Sequence, residues 1–204
     1  MYDFIDSREG LVYHAKLSEQ AERFDDMMYF MRRLAEFRTE LTVEERNLFS
    51  VAYKNTVGSR RSCWRILNTE QRKAMQKHSD LDKIPLLERY KEDIEIELTE
   101  LCYEVLDVLD DHLLPYARTS ESKVFYYKLK GDYFRYLSEV KKNPGQRKEA
   151  AEGALDGYRE ASELGSRTLA PTDPIRLGLA LNFAVFYHEI LESPERCLYP
   201  GSFI

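Results

Sequence analysis

Glycine and proline are scarce, at 9 and 7 of 204 residues. That shortage removes most of the turn signals a strand-rich fold needs, and no convincing strand pattern is present. No apolar run approaches the roughly 18 residues of a membrane-spanning helix, so membrane insertion is not expected. The opening "MYDFIDSREG" lacks a charged-then-apolar leader, so secretion is not expected either. The expected compartment is the cytoplasm, with the nucleus also open to the chain. Cysteine is rare: Cys63, Cys102 and Cys197 stand far apart, in no CxxC or Cys/His ligand spacing. Neither a disulfide framework nor a zinc site is suggested, and the three read as reduced thiols.

Catalytic signatures are missing too. No HExxH, P-loop, GxSxG or GxGxxG pattern occurs, and His14, His78, His112 and His188 have no ligand-like partners at motif spacing. Asp107, Asp110 and Asp111 cluster, as an acid–base group or as solvated residues on an amphipathic helix. The expectation is a non-enzymatic binding protein with no catalytic residue, metal or cofactor. Positive charge is also in deficit: 36 acidic residues against 30 basic give a formal net charge of −6. Nucleic acid is therefore not an expected partner, because phosphate-backbone binding needs a broad basic face. Any cationic site must be small and enclosed.

What the chain does have is helix. Leu, Ala, Glu, Lys, Arg and Met recur at three-to-four spacing nearly throughout, which predicts an all-α bundle of seven antiparallel helices joined by short loops in one continuous unit. Asp6-x-x-Glu9 forms a capping box for a first helix through "GLVYHAKLSEQAERF", and "DDMMYFMRRLAEFR" follows almost without a break. Thr42-x-x-Glu45 starts a third, unusually long helix running past Gln71. A fourth, "LLERYKEDIEIELTELCYEVLDVLDDHLL", is stopped by Pro115. "SESKVFYYKLKGDYFRYLSEV" is the fifth, and the segments 146–168 and 173–191 are the sixth and seventh. No fixed repeat period is evident.

One short stretch runs against the acidic balance. "SVAYKNTVGSRRSCWR", residues 50–65, carries three arginines and a lysine. Lys54 and Arg61, seven apart, lie within about 20° of each other on one helix face, while Tyr53, Val57 and Trp64 form a separate apolar stripe. Lys128 and Arg135 repeat the seven-residue spacing, with Asp132 between them and Glu139 one turn beyond. Carboxylates so placed hold arginine side chains in a fixed pose. Two readings stay open on spacing alone: ordinary solvated faces laced with ion pairs, or a focused cationic site.

"RNLFSVAYKNTVGSRRSCWR" strongly resembles the signature of the 14-3-3 family, and "ESKVFYYKLKGDYFRYLSEV" and "PIRLGLALNFAVFYHEILESPE" resemble two further stretches of it. The likeness extends from about Glu9 to Glu195, and "LDVLDDHLLPYA" and "RKEAAE" resemble its epsilon class. It implies a dimerisation half, about 1–112, and a ligand-groove half, about 113–204. By this resemblance Lys54, Arg61, Arg135 and Tyr136 grip a phosphoserine or phosphothreonine on a client protein, with Lys128 bordering the pocket. Asn182 would hold the client's backbone, and Val51, Gly58, Leu177, Gly178, Leu181 and Val185 would line an apolar groove. The chemistry is apt: arginine's planar fork matches a phosphate dianion, and lysine adds a point charge.

The resemblance further implies a homodimer or heterodimer with other chains of the family, through Leu17, Ala21, Arg23, Tyr90, Ile94 and Glu97, with Arg23 and Glu97 able to pair across the interface. Asp93 stands where the family often has a lysine to pair with Asp26, and Cys63 replaces an interface serine. Ser193 in "ESPER" matches a phosphosite but also reads as a helix N-cap. Against the family pattern the chain is C-terminally truncated, closing on "CLYPGSFI" where the last one to two helices would run. That predicts greater exposure of Leu181, Val185 and Phe186 and a groove whose affinity is weakened. A second reading follows, in which the shortened chain acts mainly as a dimerisation partner that modulates full-length relatives. A third is a helical scaffold whose cationic face is structural.

Overall fold

The computed structural model describes residues 6–76 and 82–193, and among them every regular element is helical. Seven α-helices follow one another: α1 Arg8–Gln20, α2 Phe24–Ala35, α3 Val43–Gln76, α4 Ile84–Val108, α5 Ser120–Val140, α6 Pro144–Thr168 and α7 Pro174–Glu189. A π-helical turn, Leu109–Leu113, and a 3₁₀ turn, Leu114–Tyr116, lead on from α4. Two compact units result, Met1–Glu36 with Thr42–Glu104, and Phe37–Leu41 with Val105–Ile204.

In the first unit, Thr42 and Glu45 form the expected reciprocal capping box. The Glu45 amide donates to Thr42 Oγ1 at 3.2 Å, and the Thr42 amide donates to Glu45 Oε2 at 2.7 Å. The helix it starts is 34 residues long, about 51 Å at 1.5 Å per residue. Its apolar stripe turns inward, with Phe49, Ala52, Tyr53 and Val57 all buried. Trp64, on the same stripe, is half-buried and donates from Nε1 to Glu95 of α4 at 2.9 Å. Further along, Lys91 of α4 donates to Asn68 and Gln71, and Gln71 donates to Glu88. Numbers rise on α3 as they fall on α4, so the two run antiparallel.

Several helix ends differ from the sequence expectation, and three of them show their physical cause. Ser7, not Asp6, caps α1: its hydroxyl accepts from the Gly10 amide at 3.1 Å. α1 then stops at Gln20 rather than continuing through Phe24. Glu22 takes φ 55°, and the Arg23 amide reaches back to the Ser18 carbonyl at 2.8 Å. That is the six-to-one bond of a Schellman end, built on a glutamate where glycine is usual, so the sequence carried no stop signal. Farther along the chain, α4 gives up α geometry at Val108, seven residues before Pro115. In a continued α-helix the proline ring would crowd the Asp111 carbonyl. The chain widens into the π turn instead.

The second unit has its own core, in which Val124 of α5, Ala154, Tyr158 and Ala161 of α6, and Leu179, Phe183, Phe186 and Tyr187 of α7 are buried together. α5 and α6 approach unusually closely. A β-carbon placed on Gly131 would stand 2.6 Å from the Tyr158 ring, and one on Gly157 would stand 2.7 Å from the Gly131 amide nitrogen. The neighbouring pairs Val124–Gly165 and Phe134–Gly153 show that α5 and α6 are antiparallel. Asn143 and Asp173 cap α6 and α7, each accepting from two amides just ahead of it. Proline occupies the first turn of both helices, where its missing N–H costs nothing.

Candidate functional site

Four of the expected site residues lie on α5 and α7 within the second unit, around one buried carboxylate. Asp132 accepts from Lys128 Nζ at 2.8 Å, from Asn182 Nδ2 at 2.8 and 3.0 Å, and from the Tyr158 hydroxyl at 2.6 Å. Lys128 and Asp132 are one turn apart on α5, as the sequence spacing required. Asn182 arrives from α7 and Tyr158 from α6. The carboxylate therefore ties three helices together with nearly all of its acceptor capacity engaged.

Arg135 lies beside this group and is only 7% exposed. Its Nε donates to the Tyr158 hydroxyl at 3.1 Å. Its terminal nitrogens have looser partners: Asp132 at 3.6 Å and Glu189 of α7 at 3.9 Å. Both distances exceed hydrogen-bond range. Among the described residues, then, the guanidinium is fixed at Nε while its two NH₂ groups keep donor capacity. Tyr136 adds a ring face 4.7 Å from the guanidinium carbon, which stabilises the cation without consuming a donor.

The electrostatics keep the charges in place. Burial by itself disfavours the Arg135 cation, but Tyr158, Tyr136 and Asp132 more than restore it, and its pKa stands above the ordinary guanidinium value. Burial, reinforced by the Asp132 carboxylate, raises the Tyr158 pKa, so the phenol stays protonated and remains a donor. Two cations face one buried anion, since Glu189 is half-exposed and screened by water. Counted with Glu189 the four groups sum to zero formal charge, and the three more buried ones, Lys128, Arg135 and Asp132, sum to +1.

Tyr158 was absent from the sequence reading. A signal existed in the run Gly153, Gly157, Ala161, Gly165, small residues at every fourth position of α6, which marks a face built for close helix contact. Glu189 was likewise not identified as a neighbour of Arg135, because nothing local joins α7 to α5.

The other expected residues are distributed as follows. Leu181, one turn from the similarly exposed Leu177, is 65% exposed, Val185 is half-buried and Phe186 is completely buried. Phe186 is thus a core residue, not part of an uncovered face, because Tyr158, Phe183 and Tyr187 enclose it. In the first unit Lys54 is exposed on α3 and Arg61 is half-buried two turns later. Leu17, Ala21, Arg23, Tyr90 and Glu97 are exposed, whereas Ile94 is buried. Arg23 pairs with Asp26 of its own helix, and Glu97 accepts from Arg60 at 3.4 Å. Each partner of the expected intersubunit pair thus also has an exposed partner within the chain. Ser193 donates to the Leu191 carbonyl at 3.1 Å. Any helix it would cap, together with the closing segment, lies outside the described residues.

Among the described residues no helix is long and apolar enough to cross a membrane, and no group of three His, Cys, Asp or Glu side chains is arranged to hold a metal ion.

The family model for 14-3-3 protein matches residues 14–199. The chain is 52% identical over 189 residues to 14-3-3 protein epsilon of Drosophila melanogaster, covering 93% of this chain and 71% of that one. To checkpoint signal transducer rad24 of Schizosaccharomyces pombe it is 52% identical over 193 residues, 95% of this chain and 71% of the other. To 14-3-3-like protein GF14 iota of Arabidopsis thaliana it is 50% identical over 192 residues, 94% and 71% respectively. With the all-helical architecture and half of all aligned positions shared, the chain belongs to the 14-3-3 family.

Proposed function

We propose that the chain is a phosphoserine- and phosphothreonine-dependent adaptor, which binds phosphorylated client proteins and thereby masks, clamps or relocates them, without catalysis. The observation that carries this reading is the state of Arg135: buried, held at Nε, and with terminal N–H donors that no described group approaches within hydrogen-bond distance. A phosphate monoester brings close to two negative charges and three acceptor oxygens, and each charge-assisted hydrogen bond to it is worth about 1.5–3 kcal/mol. Lys128 supplies a second cation, and Asn182, anchored through Nδ2, has its amide oxygen left to accept from an extended peptide backbone. Lys54, Arg61 and Tyr136 are proposed as further phosphate ligands, and Leu177, Leu181 and Val185 as apolar contacts for the residues flanking the phosphate.

We further propose a dimer through the exposed faces of α1 and α4, where Leu17, Tyr90 and Ile96 leave apolar surface uncovered, in the cytoplasm or nucleus. The test is fluorescence anisotropy with a phosphoserine peptide and its unphosphorylated twin. The phosphopeptide binds more tightly, and Lys54→Glu removes the difference. Equal binding of both peptides by the unaltered chain overturns the proposal.

A further inference from the structure

We infer that Tyr158 and Asp132 are positioning residues that set the Arg135 guanidinium for its anion, by keeping Arg135 and Asp132 from pairing directly. This rests on the reading of Arg135 as a phosphate ligand. A guanidinium and a carboxylate three residues apart on one helix are within reach of a direct pair, which would spend guanidinium N–H donors on the carboxylate oxygens. Here none is spent that way. The Tyr158 hydroxyl stands between them, accepting from Arg135 Nε at 3.1 Å and donating to Asp132 Oδ1 at 2.6 Å, while Arg135 itself remains 3.6 Å from that oxygen.

The carboxylate is then saturated from its other sides by Lys128 and by Asn182. Saturation leaves the carboxylate little acceptor capacity for a direct bond from the guanidinium, while its charge still stabilises the cation, and the Nε contact fixes the plane of the fork. Donors aimed in advance at a ligand cost nothing to reorganise when it arrives.

The backbone makes this bridge possible. Gly131 and Gly157 bring α5 and α6 so close that the Tyr158 ring lies directly over Gly131, one residue from Asp132 and four from Arg135. The ring stacks on Phe183 at 5.2 Å and packs against Phe186, so the hydroxyl has little freedom to move. The phenol is locked in place by the core of the unit and presents its single polar atom at the one point where it can serve both partners.

Two opposed effects give the inference a sharp test. If Asp132 acted only through its charge, removing that charge would deepen the positive potential around Arg135 and tighten phosphate binding. If it positions, removing it loosens the fork and weakens binding. The full chain is titrated with the phosphoserine peptide and its unphosphorylated twin for three proteins: unaltered, Tyr158→Phe and Asp132→Asn. Thermal unfolding of each is recorded in parallel.

Tyr158→Phe keeps the ring over Gly131 and so the fold, and the melting temperature falls by several degrees because two buried charged groups each lose a hydrogen bond. Phosphopeptide affinity falls about tenfold, as expected for one misaligned charge-assisted bond, and the unphosphorylated peptide is unaffected. Asp132→Asn also lowers phosphopeptide affinity. Unchanged discrimination in Tyr158→Phe, equal weakening of both peptides, or tighter phosphopeptide binding by Asp132→Asn overturns the positioning role while leaving the phosphate reading intact. Should Tyr158→Phe fail to fold, the sign of the Asp132→Asn effect decides. Failure of the unaltered chain to distinguish the two peptides overturns the phosphate reading and the positioning role together.

Discussion

Gly157 stands against Gly131 with no room for a methyl group between them: a β-carbon on Gly157 would lie 2.7 Å from the Gly131 amide nitrogen and 3.1 Å from the Tyr127 carbonyl oxygen. Neither neighbour is a side chain that can swing away, so relief requires α5 and α6 to move apart. Gly157→Ala therefore costs about 1–3 kcal/mol of stability, despite alanine's better helix propensity. It also lowers phosphopeptide affinity, because Tyr158 moves with α6. Chemical denaturation measures the first effect, and anisotropy titration at a temperature where the variant is folded measures the second.

The capping box on α3 makes stability depend on pH. Burial alone would raise the Glu45 pKa, but hydrogen bonds from Arg8 and from the Thr42 amide outweigh it, and the folded value lies below the ordinary 4.5. A depressed carboxylate pKa contributes stability that is present above the unfolded value and lost as pH falls through the folded one. Glu45→Gln is thus less stable than the unaltered chain near neutrality, by about 1–2 kcal/mol given that the Arg8 side chain is 32% exposed and screened. The gap closes as pH drops below about 4. Urea unfolding of both proteins between about pH 7 and pH 3 follows it; a gap that widens on acidification contradicts the assignment.

Leu181 and Phe186 separate binding from folding on one helix. Phe186 is enclosed by Tyr158, Phe183 and Tyr187, and Phe186→Ala removes about 3–5 kcal/mol of stability. Leu181 faces solvent, so Leu181→Ala leaves stability within about 0.5 kcal/mol of the unaltered value. If the side chain contacts a bound client, phosphopeptide affinity still falls, about threefold to tenfold. Thermal unfolding and anisotropy on the two variants distinguish the roles.

Much of the helical order was readable in one dimension because its causes are local. Thr42 and Glu45 are three residues apart, so the capping box and the start of α3 were visible as a motif. The burial of Tyr53 and Val57 followed from 100° per residue, whereas spacing along α5 offered Asp132 as a direct holder of Arg135, and the carboxylate accepts from Lys128 instead, with Arg135 3.6 Å away. Misplaced boundaries had causes that composition does not carry. Glu22 adopts a left-handed φ that sequence assigns to glycine, and the π turn at Leu109–Leu113 widens the helix several residues before the proline that provokes it. Phe186 was expected on an uncovered face. Its burial depends on rings of α6 and α7 that no local pattern brings together.

Sequence by itself determined that the chain is all-helical, where most helices begin, and, through long stretches shared in order with known relatives, the family to which it belongs. These depend on backbone propensity, on side chains within one or two turns, and on similarity, all of which are properties of neighbouring residues. Tertiary structure alone decided that Tyr158 bridges Arg135 and Asp132, that Asn182 closes the same carboxylate from α7, and that Arg135 keeps donors to offer. Those relationships join residues 23 to 50 positions apart. They exist only because two facing glycines let α5 and α6 approach to backbone contact, a distance set by packing in three dimensions.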